Sequence, residues 1–364
     1  MKLAEGFEKI SKEIILIRPK IGFGLGGAEG HAGEVALRLL KRGYKVSILA
    51  HKISFPKEIQ RKLNFYHVPL LGFGSVPKHL LFYLQAKKIL SQIQRATIIN
   101  FSRCPVASDL FIMCDPLVSY LFEQRKITLK NIRPRYRILH YLEKKTLQRA
   151  KKIISIFTLG KDLVESFYPE VYEKVVVCRR GLDKERFNPE VKKNRDIFRE
   201  RWGFGSEDFL LLFIGLDAIR KGLDLLLKIL PHLPERVKLM VVGIEGKSTD
   251  RIYFFGKRKD VETFYAMADL FVLPTLYDPG ALATLEALSC GTPVITTPFD
   301  GTSELITTGV NGFVISRDAS SFKGAILKSM EFKFDPQKVA ESVKELTWDN
   351  YVDCLINHIN DALP

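Results

Sequence analysis

The chain has 364 residues, 46% of them hydrophobic and 27% charged, which excludes fibrous and disordered classes and is more than one ordinary core requires, so two domains are expected. It carries 56 Lys and Arg against 41 Asp and Glu, and the excess sits in one half: residues 1–180 hold 33 basic against 14 acidic residues, the remainder 23 against 27. That asymmetry points to an anionic partner for the N-terminal half (nucleic acid, anionic lipid or a phosphorylated substrate), although a solvated lysine-rich surface accounts for charge alone nearly as well.

The opening stretch, MKLAEGFEKISKE, is charged and helical in pattern and lacks the apolar centre of a signal peptide. IILIRP then reads as a short buried strand, and GFGLGGAEG as a glycine turn. EVALRLLKRG follows as a helix, with Val35, Leu39 and Leu40 on one stripe and Gly43 at the C-terminal cap. KVSILAH, ATIINF, DLFIMC and KKIISIF recur as apolar strands between helical stretches, the pattern of a parallel sheet buried on both faces. VVVCRRGLDKERFNPE is the candidate hinge. Beyond it the rhythm restarts with strand FLLLFIG, helix DLLLKIL, strands KLMVVG and IYFFG, helix VETFYAMA, strand LFVLPT, helix ATLEALSCG and strand PVITT. The fold class is therefore α/β, with Rossmann-like, doubly wound domains over 1–180 and 181–346 facing each other across a cleft. A helix over 347–364 is expected to return to the first domain. Runs such as DLLLKILPHL and ADLFVLPTL are broken well short of a membrane span.

Three features carry chemistry. Gly22, Gly24, Gly26 and Gly27 lie between a strand and a helix, where backbone N–H groups can meet a phosphate; a tight turn without a ligand explains them equally well. Arg220 and Lys221 follow the first strand of the second half, where cations can meet a diphosphate leaving group; taken alone, an exposed pair at a helix start explains them better. The most specific stretch is YDPGALATLEALSCGTPVITT. There Asp278 is read as closing a strand, Gly280 gives a tight turn, and Glu286 stands in an otherwise apolar helix. A carboxylate in that setting is costly unless hydrogen-bonded, and two ribose hydroxyls would suit it. His31, His67, His79 and His140 show no metal-ligand spacing, and no Asp-x-Asp occurs, so no metal is expected. The cysteines Cys104, Cys114, Cys178, Cys290 and Cys354 are scattered and odd in number, which fits inert thiols in a reducing cytosol.

In this order, GGAEG, RKG, the acidic pair Asp278 and Glu286, and ALSCGTPVITT resemble the retaining glycosyltransferases of family 4, fold type GT-B. DLFIMCDPLVSY, PRYRILHYLEKKTLQRA and YFFGKRKDVETFYAMADLFVLP bring the chain closest to the lipopolysaccharide-core glucosyltransferases. The resemblance implies that Gly26 and Gly27 lie against the donor phosphates, Arg220 and Lys221 neutralise the diphosphate, Glu286 binds the ribose, and Arg258 sits near the nucleobase. It also implies that Asp278, with the backbone of Gly280, Ala281 and Leu282, meets the sugar hydroxyls, and that Asp115 is the N-domain polar residue near the anomeric carbon. Two departures stand out: Asp278 replaces the usual Glu, and only IEGKSTDR stands where a helix is common between VVG and YFFG.

The implied activity is transfer of a hexose from a nucleoside-diphosphate sugar, UDP-glucose favoured, to a lipopolysaccharide-core or other membrane-associated glycan or lipid acceptor. No metal and no cofactor beyond the donor is expected. The enzyme is expected in the cytoplasm, peripheral on the inner face of the membrane, with Arg125, Lys126, Lys130, Arg133, Arg135 and Arg137 beside Tyr136 and Tyr141 as the contact. No nucleic acid is expected as partner. The competing readings are a non-catalytic nucleic-acid or anionic-surface binding protein and a GT-B sugar-nucleotide epimerase.

Overall fold

The structure, a computed structural model, describes residues 13–70, 75–93, 95–124 and 134–362. The chain divides into two units: residues 1–181 with 348–364, and residues 182–347. Among the described residues of the first, the strands are β1 (Glu13–Ile17), β2 (Lys20–Gly22), β3 (Lys45–Ala50), β4 (Lys52–Ser54), β5 (Asn64–His67), β6 (Thr97–Asn100), β7 (Ser108–Met113), β8 (Ala150–Ser155) and β9 (Val175–Val177). Seven form one sheet in the order β5-β3-β1-β6-β7-β8-β9, every pairing parallel, while β2 pairs with β4. Ile14 to Ile17 are fully buried, as a parallel strand covered by helices on both faces must be.

The helix Gly27–Lys41 buries Ala32, Val35, Ala36 and Leu39. Gly43 follows with φ +83°, which spares a side chain the left-handed strain. The last helix, Trp348–Ala362, packs on β7, β8 and the helix Gly27–Lys41, so the C-terminal segment belongs to the first unit. Its buried residues Trp348, Tyr351, Val352, Leu355 and Ile359 recur at helical spacing along one stripe.

The second unit has β10 (Phe209–Ile214), β11 (Val237–Val242), β12 (Ile252–Phe254), β13 (Leu270–Leu273), β14 (Val294–Thr296) and β15 (Gly312–Val314). They lie in the order β12-β11-β10-β13-β14-β15, all parallel. Parallel neighbours usually need a crossover of about a dozen residues or more, most often a helix. Here β11 reaches β12 through residues 243–251 without one.

Three expectations need correcting. The VVV of the proposed hinge is β9 and completes the first sheet. Asp278 does not close a strand: β13 ends at Leu273, and Asp278 lies beyond it in a loop tied to Asp300 by an isolated bridge. Finally, Cys178 and Cys354 are not inert thiols but are joined in a disulfide. Their separation of 176 residues hid the pair, because only the return of the last helix brings them together.

Candidate functional site

In an open parallel sheet, ligands bind beyond the carboxyl ends of the strands at the point where strand order reverses. In the second sheet that point lies between β10 and β13. Gly215 follows β10, and Asp217 then caps a one-turn helix, Ala218–Lys221, by accepting from the Arg220 N–H at 3.1 Å. Gly222, at φ +85°, ends that turn against β13; a Cβ there would stand 2.1 Å from the Pro274 carbonyl oxygen. Only glycine permits the approach.

That approach lets the two cations meet the loop after β13. The Lys221 Nζ lies 2.5 Å and the Arg220 Nη1 3.1 Å from the Asp278 Oδ2, while the Gly280 N–H donates to Oδ1 at 3.1 Å. Arg220 also donates to the Tyr277 carbonyl at 2.8 Å and accepts from the Leu276 N–H at 2.8 Å. Burial alone would raise the Asp278 carboxyl; the charges of Lys221 and Arg220 outweigh it and hold the group well below the usual carboxylate range. Sequence reasoning kept cations and acid apart, one set for phosphate and one for sugar. The structure makes them a single ion cluster.

The helix Leu282–Ser289 follows at once and carries Glu286, which is 9% exposed. The Tyr265 hydroxyl donates to Glu286 Oε2 at 2.8 Å. Of the backbone groups assigned to the sugar hydroxyls, the Gly280 N–H is taken by Asp278 and the Ala281 N–H by Asp300, at 3.2 Å. Leu282 begins the helix.

Asp300 is the residue that sequence reasoning missed. Fully buried, it accepts from the backbone N–H groups of Ala281 and Thr302 and from the hydroxyls of Thr284 (2.8 Å) and Thr296 (3.0 Å). Burial first, then the nearby Asp278 charge, pushes its carboxyl upward. Its only sequence signal, Asp before Gly and a threonine, reads as an ordinary Asx turn.

Arg258 lies in the loop between β12 and the helix Val261–Met267. It pairs with Asp260 at 2.7 Å and stands over the rings of Trp202 and Phe264, 5.4 and 5.8 Å from their centroids. Phe264 neighbours the Tyr265 that holds Glu286, so Arg258 and Glu286 flank one helix.

The first sheet reverses between β1 and β6, and Arg18, the residue after β1, occupies that point. Its guanidinium donates to both Asp115 oxygens (3.0 and 3.2 Å), to Glu29 (3.2 Å) and to the Phe101 carbonyl (2.5 Å). Burial would raise the Asp115 carboxyl, but Arg18 and Arg103 hold it low. Gly26 precedes the helix Gly27–Lys41, and Arg180 donates to the Gly27 carbonyl at 3.1 Å. The glycine turn and Asp115 are therefore brought into one cluster through Glu29 and Arg18.

His31 lies wholly buried between Phe101, Trp348 and Tyr351, with ring centroids 5.0–5.7 Å away. Burial, then Arg180 and Arg18, depress its pKa, and among the described residues neither nitrogen has a hydrogen-bond partner. Among the described residues, one trio could hold a metal, Cys178, Cys354 and His358, but its two sulfurs are spent in the disulfide. Of the basic cluster read as a surface contact, Arg125, Lys126, Lys130 and Arg133 and the side chain of Arg135 lie outside the described residues. Tyr141 is 59% exposed.

Comparison with known proteins fits this geometry. Residues 25–186 match Glycosyltransferase Family 4, and residues 208–331 match Glycosyl transferases group 1. The lipopolysaccharide glucosyltransferase WaaG of Escherichia coli is 24% identical over 316 residues, 82% of this chain and 84% of that protein. The GDP-mannose-dependent alpha-mannosyltransferase of Corynebacterium glutamicum is 27% identical over 50% of this chain and 47% of its own. In fold, the chain resembles the crystal structure of WaaG with TM-score 0.78, at 22% identity over 96% of this chain and 99% of the other. Anabaena HepE, solved in complex with UDP and glucose, gives 0.69 at 16% identity, over 95% and 98%. With two parallel-sheet units of the GT-B type and both halves of the family matched, the chain belongs to the family 4, group 1 glycosyltransferases and is a glycosyltransferase.

Proposed function

We propose that the chain transfers a hexose, with UDP-glucose as the favoured donor, to a lipopolysaccharide-core or other membrane-associated glycan or lipid acceptor, retaining the anomeric configuration. The observation that carries this reading is the Arg220–Lys221–Asp278 cluster at the switch point of the second sheet, with Glu286 on the next helix. In the proposed step the bond from the anomeric carbon to the donor phosphate breaks, and a bond to the acceptor oxygen forms on the same face. The departing phosphate oxygen takes the acceptor's proton. Negative charge grows on the diphosphate, and Arg220 and Lys221 meet it without reorganising, because Asp278 already holds them. The two cations supply the charge a divalent metal would otherwise bring. Glu286 accepts from the ribose hydroxyls, and Arg258 lies on the nucleobase side. Asp278, with three donors already on its carboxylate, keeps room for about one sugar hydroxyl. Asp115 is the acceptor-side carboxylate of the first unit. The names of WaaG and of the HepE complex favour a glucosyl donor carried on UDP; the mannosyltransferase makes GDP-mannose the rival.

A panel of UDP-, GDP- and ADP-sugars in calorimetry, then product analysis by NMR with and without EDTA, tests this reading. UDP-glucose should bind most tightly, an α-linked product should arise from the α-linked donor, and EDTA should leave the rate unchanged. Binding of no nucleotide sugar would overturn the function, and an inverted product or metal-restored activity the mechanism.

A further inference from the structure

Three side chains that the transfer chemistry leaves unused converge where the last strand of the first sheet meets the last helix. Cys178 directly follows β9, and its N–H donates to the Ser155 carbonyl of β8 at 3.0 Å, which fixes the residue at the sheet's edge. Cys354 and His358 lie on the helix Trp348–Ala362. Four residues apart on a helix, they share one face. The helix docks on β7 and β8 and brings that face to Cys178, whose Cα stands 6.0 Å from that of Cys354. The two sulfurs and an imidazole nitrogen lie within 4.8 Å of one another. Cys-x-x-x-His is the helical half of a zinc-site spacing, which a search for paired histidines passes over.

In the oxidised chain the sulfurs are bonded to each other and offer no ligand. Disulfides persist in oxidising surroundings; in reducing ones, clustered cysteines more often bind metal. A dithiol opens the bond by exchange: it gives two electrons and two protons, leaves as its own disulfide, and yields two thiols. Zinc then displaces both thiol protons to solvent. Two thiolates and a neutral imidazole form a soft set suited to zinc. Their charges cancel that of the ion, which suits a half-buried position. Zn–S of about 2.3 Å and Zn–N of about 2.0–2.1 Å put tetrahedral ligands about 3.5–3.8 Å apart. That spacing falls inside the observed span, so side-chain rotation is enough to form the site. Asp361 stands 3.7 Å from His358 Nδ1, where a carboxylate orients a zinc-binding imidazole and leaves Nε2 for the ion. The His358 side chain is 25% exposed, so water can supply the fourth ligand.

We propose that the first unit carries a redox-gated zinc site. Reduced, Cys178, Cys354 and His358 hold one zinc ion; oxidised by the reverse exchange, the same sulfurs close the disulfide and release it. In either state the last helix is fastened to the edge of the first sheet. The proposal does not rest on the transfer reading.

The test uses the intact chain in both states. One sample keeps the disulfide; the other is opened with dithiothreitol and freed of it by anaerobic gel filtration. Each is titrated with zinc against a chromophoric chelator, with magnesium as control. The reduced chain should take up one zinc and no magnesium, and the disulfide form neither. Cobalt in place of zinc should give a near-ultraviolet thiolate-to-metal band in the reduced chain. His358→Ala keeps both sulfurs and should weaken zinc at least about a hundredfold, because losing even a partner behind a ligand costs about 10–100-fold. Cys354→Ser should abolish uptake. No zinc uptake on reduction, equal uptake by the disulfide form, or unchanged affinity in His358→Ala would overturn the site. Zinc retained by Cys354→Ser would place the metal elsewhere and overturn it too. The EDTA arm of the transfer test is run on the disulfide form, which offers zinc no thiolate, so the two readings fail separately.

Discussion

Lys221 is the residue most dependent on its partner. It is 9% exposed, and an ammonium so placed is tolerated only because Asp278 stands 2.5 Å away. The sign of the pH dependence follows. Asp278 is depressed in the folded chain, so the unfolded chain binds a proton first as pH falls. The pair's stabilisation is therefore complete above about pH 5 and is lost as the pH falls from there through the folded value of about 2. Asp278→Asn should remove that acid-sensitive component and, by leaving Lys221 buried beside a neutral group, cost up to about 3–5 kcal/mol at pH 7. Urea unfolding at pH 7 and at about pH 3, between the unfolded and folded values, measures both, and a variant with wild-type stability at neutral pH would refute the dependence. Glu286 stood out in the sequence because a carboxylate in an apolar helix needs a partner, and the two cations because they follow the first strand of the second half. The contact between Lys221 and Asp278 was not, since 57 residues separate them and only the pairing of β10 with β13 joins the two loops.

The helix Leu282–Ser289 is only eight residues long, too short to persist in water on its own. No side chain caps it from the N-cap position; Asp300 takes over that task from the loop after β14, holding the Ala281 N–H and the Thr284 hydroxyl. Asp300→Ala would strand three buried donors, the Ala281 and Thr302 N–H groups and the Thr284 hydroxyl, while the Thr296 hydroxyl can turn to the Leu273 carbonyl at 3.1 Å, so we expect a loss of about 3–5 kcal/mol from the second unit. Weaker nucleotide binding should accompany it, because Glu286 rides on that helix. Chemical denaturation together with UDP calorimetry checks this; a cost below about 1 kcal/mol would show that the helix holds itself. Apolar runs announced the main strands of both sheets, each of which buries two faces. Short strands such as β2, β4 and β15 gave no such run: KIG, KIS and GFV take their form from neighbours. Asp300 was illegible for a related reason, because its partners lie on two other segments.

Across the whole molecule, basic charge is concentrated in one unit, and no helix among the described residues is long and apolar enough to cross a membrane. From the basic excess of the first unit we propose peripheral attachment to an anionic membrane, and it should be electrostatic: each basic residue near an anionic surface contributes roughly 1 kcal/mol, screened by salt. Co-sedimentation should show binding to anionic vesicles, weak binding to neutral ones, and release at high salt; equal binding to both would refute it. The disulfide bears on the same scale. The chain leaves the first unit after Gly181 and returns at Trp348, and Cys178 and Cys354 lie just outside those two crossings. Topologically, the second unit is a bead on a covalent ring closed by sulfur. A single nick anywhere in that ring leaves one connected molecule, and the two fragments can part only when the sulfur bond is also opened.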